Sequence, residues 1–234
     1  MNYITPIIVA VAVLTSGWLV ADGMKHFKTG DRYVSVKGLA EVEVKADLAA
    51  WPIQFRTSDS NLNDAKTKLE AHEQVVREFL INNNIAPDSI EVSRVDVSEE
   101  LIRANYNAPV QGTRYTLTET LMVRTQDVDK VAKVYAQIGE LVSKGILLGY
   151  DNTPQYSFNG LNDIKPEMIA EATRNARAAA QTFADDSGAH VGDIRRATQG
   201  YFSILARDSI GNSSERQQIH KRVRVVSHFD FYLE

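Results

Sequence analysis

The residues that could do chemistry in this 234-residue chain are few and scattered. There is no cysteine, which removes disulfides, thiol catalysis and cysteine metal sites. The histidines are His26, His72, His190, His220 and His228, and no two stand at i, i+3 or i, i+4, the spacing that sets two ligands on one helix face. His220 and His228 share a parity, but along a strand they would stand about 26 Å apart. His72 falls on an apolar helical stripe and reads as a packed or boundary residue. Asp127 and Asp129 resemble a carboxylate pair, yet they open a helix, where acids complement the dipole, and read as capping. No dinucleotide or phosphate-binding loop, zinc-protease helix, calcium loop or nucleophile elbow occurs. The reading is of no catalytic, metal or cofactor-binding residue and no cofactor. A hydrolase would need Ser, His and acid groups converging through the fold alone.

Charge narrows the partners. Lys and Arg total 26 against 30 Asp and Glu, a formal net charge of −4, which argues against a nucleic-acid binder. Two basic clusters stand out, "HKRVR" at His220–Arg224 and the Arg195–Arg196 pair. Either could touch anionic lipid, but a charged strand edge that discourages aggregation is the plainer reading. Asn212 begins a glycosylation-type triplet to which no weight is given.

The elements that would position these residues follow from periodicity. Val34, Val36, Val42 and Val44 alternate around Gly38, and Trp51, Ile53 and Phe55 share one face, giving two strands. Pro52 removes a ladder donor, which places the second strand at an edge or a bulge. Ala65, Leu69, His72, Val76, Phe79 and Leu80 form a helical stripe, capped by Ser60 or Asn61 and stopped at Asn82–Asn84. Ile90 and Val92, then after a step Val95 and Val97, make a strand. Tyr115, Leu117, Leu121 and Val123 share one face of the next strand. A second helix runs from Val128 to Val142 and ends at Gly145. Residues 146–160 read as a strand. A long alanine-rich helix then turns Met168, Ala172, Ala176, Ala179 and Phe183 inward. Residues 190–206 return as a strand, and the last strand sets Val223, Val225, Phe229, Phe231 and Leu233 on one parity. The order is ββαββαβαββ, an α+β fold of antiparallel or mixed sheet with about three packed helices. Its length suits one large domain or two small intertwined ones.

No residue from Tyr3 to Ala21 is charged, and as a helix this run would span about 28 Å, near the hydrocarbon thickness of a bilayer. It lacks a basic leader, and Leu19 is a bulky residue where a cleavage site wants a small one. It reads as a retained transmembrane anchor with its linker over residues 1–30, rather than a signal peptide. Lys25, Lys28 and Arg32 follow the span and, taken alone, would hold the rest of the chain in the cytoplasm.

Three stretches together carry a resemblance: "YVSVKGLAEVEVKAD", "YTLTETLMVRTQDVDKVAKVYAQIGELVSKG" and "EATRNARAAAQTFADDSGAHVGDI". The last is the most specific, with Arg174 and Arg177 on an alanine-rich helix, then Gly188 and "VGDI". Over residues 33–233 the chain resembles the SIMPL domain family, that of the bacterial periplasmic immunogenic protein. It departs from the family pattern in keeping Asp47 without the usual preceding proline, and in lacking a glycine in "YTLTETLM". The resemblance implies a SIMPL domain over residues 31–234 facing the periplasm of a bacterial inner membrane, with no known catalytic residues. It also implies a link to envelope or oxidative stress and homo-oligomers, in one type a ring or hollow barrel. This outweighs the small charge bias around the anchor.

Three functional expectations follow. The first is a non-enzymatic, membrane-anchored homo-oligomer whose edge strands and residues 207–217 make the contacts. The second is a monomeric module that binds a lipid, peptide or signalling ligand beside Tyr135, Tyr150, Tyr156 or Phe158. The third is an unrecognised hydrolase.

Overall fold

The computed structural model describes residues 15–18, 32–103, 109–150, 152–208 and 214–234. The anchor read at residues 3–21 lies outside these except for Thr15–Trp18, which are helical. Among the described residues no helix is long and apolar enough to cross a membrane.

The elements are β1 (Tyr33–Lys45), β2 (Leu48–Asp59), α1 (Leu62–Asn82), β3 (Ile90–Ile102), β4 (Gly112–Thr125), α2 (Val128–Tyr135), α3 (Gly139–Ser143), β5 (Leu147–Leu148), β6 (Gln155–Ser157), α4 (Leu161–Ser187), β7 (Val191–Thr198), β8 (Phe202–Ala206) and β9 (His220–Leu233), with 3-10 turns at Pro87–Ser89 and Glu215–Gln217. One sheet has the order β1-β9-β7 with β8 also on β9, and the other has β3-β4-β2-β5 with β6 also on β2. The class is α+β, and the registered pairs are antiparallel.

Residues 31–234 contain two compact units, and each takes its residues from separate stretches of chain. The first draws on Ile164–Ser203 and Arg224–Glu234 together with the start of β1. Its core is Val36, Ala176, Ala180, Phe229 and Phe231. The alanine face of α4 lies directly on β1. A Cβ placed on Gly38 would stand 1.9 Å from the Ala172 carbonyl oxygen and 3.0 Å from the Ala176 Cβ. Asn175 Nδ2 donates to the Leu39 carbonyl beside this contact, at 2.8 Å. Met168, Ala172, Ala176, Ala180 and Ala184 are the buried residues of α4. The expected inner face thus holds through Ala176 and then changes. Burial follows a strict four-residue step to Ala180 and Ala184, and Phe183 is turned out to solvent, 62% exposed. Arg177 lies over the Phe231 ring at 4.9 Å and donates to the Gly192 carbonyl at 3.3 Å, while Arg174 donates to Glu167.

The second unit comprises Glu43–Asp163 and Ile204–Val223. Its core is built on Trp51, Ile53 and Phe55 from β2, Leu117, Leu121 and Val123 from β4, and Val76, Phe79 and Leu80 from α1. These are the stripes read from periodicity. Asn61 caps α1, accepting from the backbone of Asn63 and Asp64, and Asp127 caps α2, accepting from Lys130 N.

Two expectations need correction here. The helix over 128–142 is two helices, because Gln137 and Ile138 bond three residues back, to Val134 and Tyr135, and tighten the turn ahead of Gly139. The strands over 146–160 and 190–206 are each broken, into β5 and β6 and into β7 and β8.

Pro52 is not on an edge strand, since β2 has β4 on one side and β5 and β6 on the other. The missing donor falls in the gap between β6, opposite Leu48–Ala50, and β5, opposite Phe55–Arg56. In that gap Gln54, of the same parity, donates its N–H to the Asn152 side chain at 2.6 Å.

One cap recurs in both units. Asn84, Gly145 and Gly188 have positive φ, and the next residue in each case bonds five back: Ile85 to Leu80, Ile146 to Leu141 and Ala189 to Ala184. This closes the orphan carbonyls at the ends of α1, α3 and α4.

Gly38→Ala is expected to destabilise the protein by ~3 kcal/mol or more, because the obstruction is helix backbone that cannot turn aside. Gly112→Ala, where an added Cβ meets nothing within 4 Å, is expected to stay within ~0.5 kcal/mol of wild type. Urea unfolding of the two variants checks both.

Candidate functional site

The residues singled out from sequence do not converge. His220 and His228 both lie on the exposed parity of β9, and His26 lies outside the described residues, as does Asn212. His72 is half-buried on α1 with Nδ1 unpartnered, and burial lowers its pKa. Asp127 is a cap held low by the Lys130 side chain, and Asp129 pairs with Lys45. Among the described residues no group of three or more His, Asp or Glu side chains is placed to hold a metal.

One Ser, His and Asp set does share an open groove of about 580 Å³, formed in the first unit by Ser35, His228 and Asp230 with Phe183. Ser35 Oγ donates straight to Asp230 Oδ1 at 2.6 Å. A nucleophile needs its proton facing an imidazole, with the acid behind, so this order does not serve catalysis.

The basic segment at 220–224 opens β9, which is an inner strand of its sheet, paired by β1, β7 and β8, with the β7 register confined to His228–Leu233. Lys221 is fully buried and donates to the Glu215 carbonyl at 2.7 Å and to the Glu215 carboxylate. Its charge closes the turn at Glu215–Gln217 instead of meeting lipid. Arg195 stacks over Tyr33 at 4.2 Å.

Of the four aromatics considered for a ligand pocket, Tyr156 and Phe158 line one groove of about 370 Å³ with Ile204, Glu215 and Arg216. Tyr135 instead packs edge-on against Trp51, at 5.8 Å between centroids, and Tyr150 is 99% exposed.

Two features that the periodicity reading passed over are chemically more pointed. Glu119 lies between Leu117 and Leu121 on the core parity of β4, 4% exposed, with Oε1 unpartnered. Burial is the main cause that lifts its pKa to about 7; Glu73 and Glu70 on α1 add to the lift, and Arg77 opposes it. Arg77 is itself committed, donating Nε to Glu73 at 2.6 Å and reaching the Ile90 carbonyl. The signal was available in "TLTETLM", where Glu119 has the same parity as its apolar neighbours.

The second feature is β3. Among the described residues it forms the end of its sheet, with β4 as its registered partner, and of its residues only Ile90 is buried and Asp96 half-buried. Val92, Val95 and Val97 are 47%, 51% and 58% exposed. The step seen in the sequence between Val92 and Val95 is a bulge between Val92 and Arg94, after which the register runs unbroken from Arg94–Thr120 to Ile102–Gly112. Val95 stands opposite Glu119. The buried carboxyl and the exposed valines therefore share one face of the sheet, at the limit of α1's cover.

The antiparallel sheets and their packed helices define an α+β protein. Residues 34–226 match the SIMPL family, described as "Protein of unknown function (DUF541)", and the chain belongs to that family. Compared with curated proteins, the sequence matches none.

Glu119 makes stability depend on pH in a stated direction. Its folded pKa lies above the ordinary value, so the folded state holds the proton longer than the unfolded one. Stability attributable to this group is full below about pH 4.5, falls as pH rises through about 7, and is flat above. Glu119→Gln should be close to neutral at pH 4.5 and stabilising by up to ~3 kcal/mol at pH 8. Comparing wild type and variant at each pH cancels the opposite trend from His72, and thermal unfolding reads the difference.

Proposed function

We propose that this SIMPL protein is a non-enzymatic, membrane-anchored envelope protein whose folded region faces the periplasm and self-associates, in support of envelope integrity under oxidative or other stress. The observation that carries the reading is the uncovered end strand β3, thirteen residues long with three exposed valines on it. Apolar end strands left open are templates for pairing with another chain. The uncharged run from Tyr3 to Ala21 supports an anchor, and anchoring many copies in one membrane would add avidity to weak contacts. Neither the Ser35–Asp230 bond nor the paired Lys221 favours a reaction, and the proposal names no cofactor and no nucleic acid. A second reading, a binding module for a lipid, peptide or signalling ligand, has the Tyr156–Phe158 groove in its favour.

Particle mass by light scattering in mild detergent, on the full chain and on a chain beginning at Asp31, tests the proposal. The expected result is a large, uniform particle in both cases. A monomer in both would overturn self-association and leave the groove as the place to look, with native mass spectrometry for a co-purified ligand.

A further inference from the structure

We infer that β3 is an isologous interface: it pairs antiparallel with β3 of a second copy, centred on Val97, and joins the two sheets across a twofold axis. The inference rests on the self-association proposed above and adds which surface does it and in what register.

A twofold axis perpendicular to a sheet maps each strand residue onto the same face, so the axis must pass through a residue opposite its own copy. Few centres are available on β3, and charge and the bulge separate them. Centring on Arg94, Asp96 or Glu99 sets that charge against itself. Centring on Ser98 sets Asp96 against Glu100, and centring on Val95 runs the pairing past Arg94 into the bulge, where the register breaks. Centring on Val97 leaves no like-charge pair. Arg94 then faces Glu100 of the second copy, twice by symmetry, and Val97 faces Val97.

The two faces also sort correctly. Side chains alternate along a strand, so Arg94, Asp96, Ser98 and Glu100 lie on one face. Val95, Val97 and Glu99 lie on the other, where Val95 stands opposite Glu119, Val97 opposite Leu117 and Glu99 opposite Tyr115. The Arg94–Glu100 pairs would form on the open face, and on the face that carries α1 Val97 would meet Val97, with Val95 of each copy beside it and opposite Glu99 of the other. The segment needed, Arg94–Glu100, lies wholly within the unbroken register that follows the bulge. Arg94 is accessible to a partner: its side chain is 71% exposed and its bond to Asp96 lies along its own strand.

The chain's lack of cysteine makes the test direct. In the full chain, Val97→Cys should give a disulfide-linked dimer on mild oxidation, because residues directly opposite in a ladder lie within disulfide reach. Val95→Cys should not, since its two copies would stand roughly 13 Å apart in this register. Independently, Arg94→Glu should weaken association by roughly tenfold, and Arg94→Glu combined with Glu100→Arg should restore it. Rescue by the swapped pair cannot come from a folding defect.

Association by light scattering with no Val97→Cys cross-link, or with equal cross-linking at Val95→Cys, would overturn this interface and leave self-association standing. Protection of β3 amides from hydrogen exchange without the cross-link would mean a different partner covers the edge, and would overturn it as well. A monomeric full chain would overturn both.

Discussion

The contact between Gly38 and the α4 backbone at Ala172 is the constraint from which the first unit is built. A helix cannot lie this close to a strand unless both surfaces are nearly bare. Gly38 supplies no side chain, and the alanines at 172, 176, 180 and 184 supply one methyl each at a constant four-residue step. Such a stripe gains little from the area of any single residue. Its stability comes from continuous contact along the helix and from bonds that close approach allows, among them Asn175 to the Leu39 carbonyl. The same step explains why Phe183 is outside. A face built for close approach has no room for an aromatic ring, so the large side chain following Ala180 must leave the stripe.

In the second unit the corresponding problem is polar. The start of α4 and the turn before it have backbone donors to satisfy, and Asp47 takes on several at once. Its carboxylate accepts from Asn159 N, Asn159 Nδ2 and Gly160 N at 2.8–3.0 Å. One acid between β1 and β2 therefore fixes a loop over one hundred residues later in the chain. This gives the Asp47 retained from the family pattern a structural role. Lys221 behaves alike: a cation on a core parity is tolerable because the turn at Glu215 supplies both a carbonyl and a carboxylate.

The legible part of this fold was what periodicity measures. The core stripes of α1, β2, β4 and β9 could be named largely residue by residue, as could the step in β3 and the helix end at Gly145. Breaks within elements were not legible, because the tightening at Gln137–Ile138 and the division of the strands over 146–160 and 190–206 depend on tertiary bonds and not on residue type. Strand order was also hidden. Pro52 suggested an edge and the basic run at 220–224 another, yet both strands have neighbours on either side, and the real end strand β3 looked like an ordinary alternating one. Glu119 was missed for a different reason. Apolar periodicity treats a polar residue on the core parity as a gap in the pattern, when such a residue is the informative one.

Glu119 and β3 belong to one physical situation. The sheet of the second unit is wider than its helix cover, so α1 shields β2 and β4 and leaves β3 open. A carboxyl at the middle of β4 is buried by the helix but finds no donor for Oε1, while the valines one strand further out find no cover. Proteins that must keep an end strand unpaired usually place lysine or proline along it, or shorten it. β3 has neither residue, runs for thirteen residues, and confines its bulge to one end. Its acidic and basic groups do not form a uniform repelling row either, since Arg94 precedes Glu99 and Glu100 by five and six positions. That arrangement repels the registers centred on Arg94, Asp96, Ser98 and Glu99 and accepts the one centred on Val97. A strand selected only to stay solvated would have no reason to distinguish among them, which makes the charge order on β3, more than its apolar content, the feature that a self-pairing edge explains.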